Sequence, residues 1–138
     1  MNVWLIYTLI SVVFMAGMVL ILKKLTLQGI NAAVILFILF SVAAFVFGGH
    51  LLVTRTKLDV SFWPLILIVI AAVFSYVANL LQVKSIALAP NPGYVFAIVS
   101  LNVVLVTVMS YFLFASEISV LKGVGIVLGV IAVILISW

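Results

Sequence analysis

Few side chains in this sequence can do chemistry, and their types and spacing narrow what that chemistry is. Two carboxylates (Asp59 and Glu117), one histidine (His50) and no cysteine occur among 138 residues. Paired carboxylates, a helix-borne histidine pair and a Ser/His/Asp set are therefore not available for acid–base or nucleophilic work. A single histidine without a thiolate cannot build the usual zinc site. The sequence predicts no catalytic residue, no metal ligand set and no cofactor. The formal charge of +4 comes from scattered positions, Lys23, Lys24, Arg55, Lys57, Lys84 and Lys122. No basic patch forms, so a nucleic-acid partner is not expected.

Neutral polar residues are better arranged. At 100° per residue, Ser75, Asn79 and Gln82 share an arc of about 60° on one helix. Ser100, Thr107, Ser110 and Tyr111 share an arc of about 100° on the next, with Asn102 pointing away from them. Two such stripes on adjacent helices would either wall a hydrated cavity or hydrogen-bond between helices, worth about 0.6 kcal/mol per contact. The cavity reading makes Tyr76, Asn79, Gln82, Tyr94, Thr107 and Ser110 the substrate-facing residues. Lys84 lies about 33 Å from the start of its helix. It either snorkels to the interface or, with Ser85, lines a pathway mouth that meets an anion.

The elements that carry these residues follow from hydropathy. Hydrophobic residues make up 70% of the chain and charged residues 6%, against roughly 45–50% and 25% in soluble domains. Lipid resolves that imbalance, because the outer faces of membrane helices want apolar side chains. A bilayer core of about 30 Å needs roughly 20 helical residues. Runs of that length recur at about residues 3–22, 31–53, 63–86, 93–115 and 120–137. Pro64 sits in a first turn, where a missing N–H costs nothing. Pro90-Asn91-Pro92-Gly93 divides a charge-free stretch too long for one helix. Trp4, Trp63 and Trp138 fall near helix ends, as an interfacial aromatic belt would have it. The first run follows Met1-Asn2-Val3-Trp4 without a basic lead and is too long for a signal-peptide core, so it reads as a retained helix. The predicted fold class is all-α: a single domain over 1–138, a polytopic bundle of about five transmembrane helices. The short loops make sequential helices neighbours, and long apolar runs argue against a barrel.

Five spans place Arg55, Lys57 and Lys122 on one side and Lys23, Lys24 and Lys84 on the other. Three basic residues against three leave almost no instruction for orientation. Insertion both ways would yield an antiparallel pair, assembling from two copies what larger transporters build from inverted repeats. On the fifth helix, Gly125, Gly129 and Ala132 share one face at i, i+4, i+7, with Gly123 close by. Such a face supports either a dimer contact or close packing within one subunit.

The run Ala89-Pro90-Asn91-Pro92-Gly93-Tyr94-Val95-Phe96-Ala97-Ile98, followed by Val104-Leu105-Val106-Thr107 and by Leu113-Phe114 with Glu117, resembles the later part of an EamA-like domain of the drug/metabolite transporter superfamily. Lys23-Lys24-Leu25 and Gly125-Ile126…Gly129-Val130 are also similar to that family. The resemblance covers the chain as one five-helix unit. Most family members carry two such units in inverted orientation, which implies pairing of this chain with itself or with a related subunit. The last three helices also resemble those of small multidrug resistance proteins, whose first helix carries a membrane-embedded glutamate for drug cations and protons. Here residues 3–22 contain no acid, a departure from that exchange chemistry, and Ala132 stands near the second glycine of that family's pairing motif.

Together these readings predict a half-transporter of small organic solutes, working as a dimer by alternating access in the plasma (inner) membrane of a prokaryote. The partners expected are the lipid bilayer, a small-molecule substrate, and an antiparallel second copy or similar subunit. A lipid-linked sugar flippase subunit and a non-transporting membrane subunit are the alternatives.

Overall fold

The computed structural model describes the backbone of residues 3–115 and 119–137, and the side chains of all of these except 122, 136 and 137. Glu117, Trp138 and the Lys122 side chain, which the sequence analysis singled out, lie outside the described residues. The described elements are all helical: α1 (Val3–Leu27), α2 (Ala32–Thr54), α3 (Phe62–Leu88), α4 (Pro92–Val99), α5 (Asn102–Phe114) and α6 (Val120–Ser137).

Local chemistry sets most helix ends. α1 runs a turn past Lys23 and Lys24 rather than stopping at them, because lysine is a good helix former and its stem packs while its charge reaches outward. It closes instead at Gly29, whose φ of 78° is cheap only for glycine. The Ile30 N–H reaches the Leu25 carbonyl at 3.4 Å and the Gly29 N–H reaches that of Thr26 at 3.0 Å, a Schellman closure. Asn31 then caps α2, its side chain accepting from the Ala33 N–H at 2.8 Å. At the far end Arg55 takes a left-handed conformation (φ 51°) and its N–H bonds back to Leu51 and Leu52.

The Pro90–Gly93 segment breaks the chain where expected. Asn91 caps α4 by accepting from the Gly93 N–H at 2.8 Å, and Pro92 fills the first turn. A Cβ on Gly93 would stand 3.1 Å from the Asn91 Oδ1, so the cap and the glycine fit together.

The expected fourth helix, about residues 93–115, is interrupted. Leu101 bonds to Ile98, Val103 to Ser100 and Val104 to Leu101, each an i→i+3 step at 3.0 Å. The Ser100 hydroxyl donates to the Ala97 carbonyl, so a side chain competes for an acceptor of the regular ladder. α4 and α5 together still make one apolar span, Pro92–Phe114.

The chain divides into two compact units, Met1–Leu88 and Ala89–Trp138. In unit one α1 and α2 both pack on α3 and touch each other. Val19 and Leu22 of α1, Ile35 and Leu36 of α2, and Val83 and Ile86 of α3 are its buried side chains. In unit two α4 packs on α6, and Val95 and Val133 are buried.

Most other apolar side chains are exposed or half-buried. Phe45 is 82% exposed and Leu52 80%, and α1, α2, α3 and the α4–α5 span are each long and apolar enough to cross a membrane. α6 adds the shorter apolar stretch Gly123–Leu135. Soluble proteins do not present contiguous apolar surface on this scale. In lipid each helix satisfies its own backbone, and the fold is a membrane helix bundle.

Candidate functional site

Unit one carries a groove of about 640 Å³ between α2 and α3. Its α2 wall is Ala33, Leu36, Phe37, Phe40, Ser41 and Ala44; its α3 wall is Ala72, Ser75, Tyr76 and Leu80. The α2 positions follow the i, i+3, i+4 spacing of one helix face. Small alanines open the space, and Phe37, Phe40 and Tyr76 supply aromatic surface. The Ser41 hydroxyl donates to the Phe37 carbonyl at 2.8 Å, which leaves its oxygen lone pairs toward the space. No formal charge lines this groove.

Asn79 and Gln82 do not line it. The Asn79 amide donates to the Ser75 carbonyl at 2.7 Å and to the Ser75 hydroxyl oxygen at 3.1 Å. It therefore closes a bond within its own helix, one turn back. Gln82 is half-buried on the same helix.

Unit two carries a groove of about 500 Å³ lined by Ser100, Leu101, Asn102, Val103, Val104 and Thr107 on one side and by Gly125, Ile126, Gly129 and Val130 on the other. Five consecutive residues cannot all present side chains to one face of a helix. The backbone of the interrupted turn itself must form part of that wall, which brings in Asn102 despite its opposite helical phase. The facing wall is equally bare: a Cβ on Gly125 or Gly129 would meet nothing within 4 Å. The Thr107 hydroxyl donates to the Val103 carbonyl at 2.6 Å. Ser110 is half-buried and its carbonyl accepts the Ala115 N–H that closes α5. Tyr94, Tyr111 and Ala132 lie on α4, α5 and α6 and are largely exposed. The six substrate-facing candidates thus separate: Tyr76, Asn79 and Gln82 belong to unit one, and Tyr94, Thr107 and Ser110 to unit two.

A third groove, about 320 Å³, lies at one end of unit one among Thr26, Gly29, Ile30, Asn31, Ala32, Lys84, Ala87 and Leu88. Lys84 is exposed there. Nearby, the Lys23 ammonium donates to the Ile86 carbonyl at 2.9 Å and to the Ala87 carbonyl at 3.3 Å. These carbonyls belong to the open C-terminal turn of α3, where partial negative charge gathers. One cation thereby satisfies backbone groups that lipid would leave stranded.

These pieces are hydroxyls, aromatic rings and bare backbone on apolar membrane helices, surfaces suited to holding a small solute. Comparison with known proteins decides what kind of membrane protein it is. The family model of EamA-like transporters matches residues 2–138. The chain belongs to the EamA-like transporter family. Neither a curated protein nor a solved structure matched it. As an EamA-like protein it is a membrane transporter of the drug/metabolite kind, and its family consists of transporters, not enzymes.

For this EamA-like chain, sequence reasoning missed three features of the grooves. Ser41 was overlooked because helix two reads as uniformly apolar with a lone hydroxyl; the small residues Ala33 and Ala44 on the same face were the available signal. Asn102 was set aside on helical phase, which an interrupted helix does not obey. Lys23 was read as a flank, and nothing in its local sequence points to α3.

Proposed function

We propose that this EamA-like protein is a half-transporter for small neutral or zwitterionic organic solutes. Two copies, or this chain with a similar subunit, work by alternating access in the plasma membrane of a prokaryote. One observation carries the substrate class. Among the described residues, the two larger grooves are lined by hydroxyls, the Asn102 amide, aromatic rings, glycines and aliphatic side chains, without a carboxylate or ammonium. A cation has no counter-charge there, and a proton has no mid-membrane carboxylate to ride on. Solute flow down its own gradient follows. Within unit one Tyr76, and within unit two Ser100, Asn102 and Thr107, are polar groups on groove walls open to a solute; Lys84 stands at one end of unit one.

The pairing rests on family architecture and on the uncovered glycine face of α6. Gly125 and Gly129 admit close approach of a second backbone, and Ala132 extends the same face.

Protein reconstituted into liposomes tests the proposal with a panel of neutral and zwitterionic solutes, preselected by thermal stabilisation of the purified protein. The expected result is saturable uptake that proceeds without a proton gradient. Uptake that requires such a gradient overturns it.

A second reading, a non-transporting membrane subunit, is favoured by the hydrogen bonds of the polar stripes. Asn79, Ser100 and Thr107 all bond back to carbonyls of their own chain segment. Replacement of Tyr76, on the groove wall, by Leu separates the two. Lost uptake at normal abundance supports a pathway, and loss of the protein itself supports structural support alone.

A further inference from the structure

The grooves of unit one follow one another along a single ridge. Ala72, Tyr76, Leu80, Lys84 and Leu88 recur at every fourth position of α3, and each lines either the large α2–α3 groove or the smaller one at its end. Residues four apart form a continuous row on a helix surface. Across from this row, α2 contributes Asn31 and Ala32 at the small groove, then Ala33 through Ala44 at the large one. Moving along the seam, surface chemistry changes from cationic and polar to mainly apolar and aromatic, with Ser41 and Ser75 the hydroxyls beside Tyr76.

The cationic end is uncompensated. Lys23, Lys24 and Lys84 gather there, whereas Asp59, the only acid before residue 89 in the sequence, lies in the loop between α2 and α3 at the other end of those helices. Lys23 is committed to the α3 carbonyls. Lys84 has no hydrogen-bonding or ionic partner among the described residues. The groove it lines also holds Thr26 and Asn31.

The apolar stretch has a telling length. From Ala33 to Ala44 the helix rises about 16 Å, close to the roughly 15 Å of one leaflet's hydrocarbon. A ligand that fits both parts has an anionic head and one long apolar tail.

We propose that this seam binds an anionic phospholipid of the surrounding bilayer, its phosphate at Lys84 and one acyl chain along the α2–α3 groove between Phe37 and Tyr76. A free anionic solute uses only the small groove. A zwitterionic lipid carries its own cation and gains less from Lys84.

The test uses the full chain purified in mild detergent, with phosphatidylglycerol or phosphatidylcholine of identical chains added. Retained lipid is read by native mass spectrometry and protection by thermal melting. The wild type retains phosphatidylglycerol about five-fold over phosphatidylcholine, the size that one lysine near an anionic surface supplies. Lys84→Gln abolishes the preference and Lys84→Arg keeps it. Ala72→Phe, which fills the tail stretch, lowers retention of both lipids. Equal retention by the wild type, an unchanged preference in Lys84→Gln, or undiminished retention in Ala72→Phe each overturns the proposal. So does equal protection by free glycerol phosphate, which would place a soluble anion there instead. The acyl chain and the solute of the transport reading share the α2–α3 groove and occupy it in turn; no transported solute enters these measurements, so the two readings fail separately.

Discussion

Unit one buries side chains from all three of its helices and ties α1 to α3 through the Lys23 ammonium. Among its described residues unit two buries only Val95 and Val133; it interrupts its longest span at Ser100–Leu101 and leaves space around the glycines of α6. Both are built from the same apolar alphabet, so composition does not explain the contrast. In lipid, burying a Leu against another Leu gains little over burying it in acyl chains. Packing and polar ties therefore decide which helices hold one another. Unit one has both, and its groove is bounded by a settled core. Unit two has little of either, and its irregular backbone fits an element that changes shape or takes on a partner.

The sharpest way to break this contrast is at Lys23. Lys23→Met strands two carbonyls at the end of α3, and the usual worth of a charged hydrogen bond predicts a loss of about 1.5–3 kcal/mol. Thermal or denaturant unfolding in detergent measures it, and Lys23→Arg should recover part. A wild-type midpoint for Lys23→Met would mean that unit one is not held by this tie.

Core truncation comes next. Ile86 is fully buried, whereas Val133 is a short side chain in a sparse unit. Since lipid removes the transfer part of the usual cost, only the cavity part remains, and Ile86→Ala should lose about 1–2 kcal/mol. Val133→Ala should lose less than half of that in the same assay. Equal losses would erase the distinction between the units.

Gly129→Leu addresses the bare face. A Cβ there meets no atom within 4 Å and the rest of the side chain enters open groove space, so stability should hold while self-association falls about five-fold, measured by cross-linking in membranes. Unchanged cross-linking removes this face from the dimer. The smallest effect belongs to Asn79→Leu, whose bonds lie within one helix; about 0.6 kcal/mol or less is expected from thermal melting.

How much of this was legible beforehand varies along the chain. Asn31 and Pro90-Asn91-Pro92-Gly93 announced their helix starts, because a cap acts on N–H groups two residues away and needs no tertiary partner. The first run is expected to end at residue 22, before Lys23 and Lys24, and the structure carries α1 on to a closure at Gly29. Ser100 concealed an interruption, since a serine inside an apolar run reads the same whether or not its hydroxyl bends the helix. Of the site candidates, Tyr76 and Thr107 were placed on groove walls, while Asn79 turned to its own backbone. Periodicity reports which residues share a face, and it does not report whether a polar side chain on that face is already satisfied.

What the sequence by itself determined is the membrane as solvent, the run of helices and the family, all of which follow from local hydropathy, caps and short motifs. Only the tertiary structure decided that Lys23 meets carbonyls 63 positions away, that Ser41 joins Ser75 and Tyr76 across one groove, and that Lys84 crowns an apolar seam. Each of those depends on which faces of distant helices come together. Lipid leaves that choice to packing and to a few polar ties, not to the apolar pattern that made the helices.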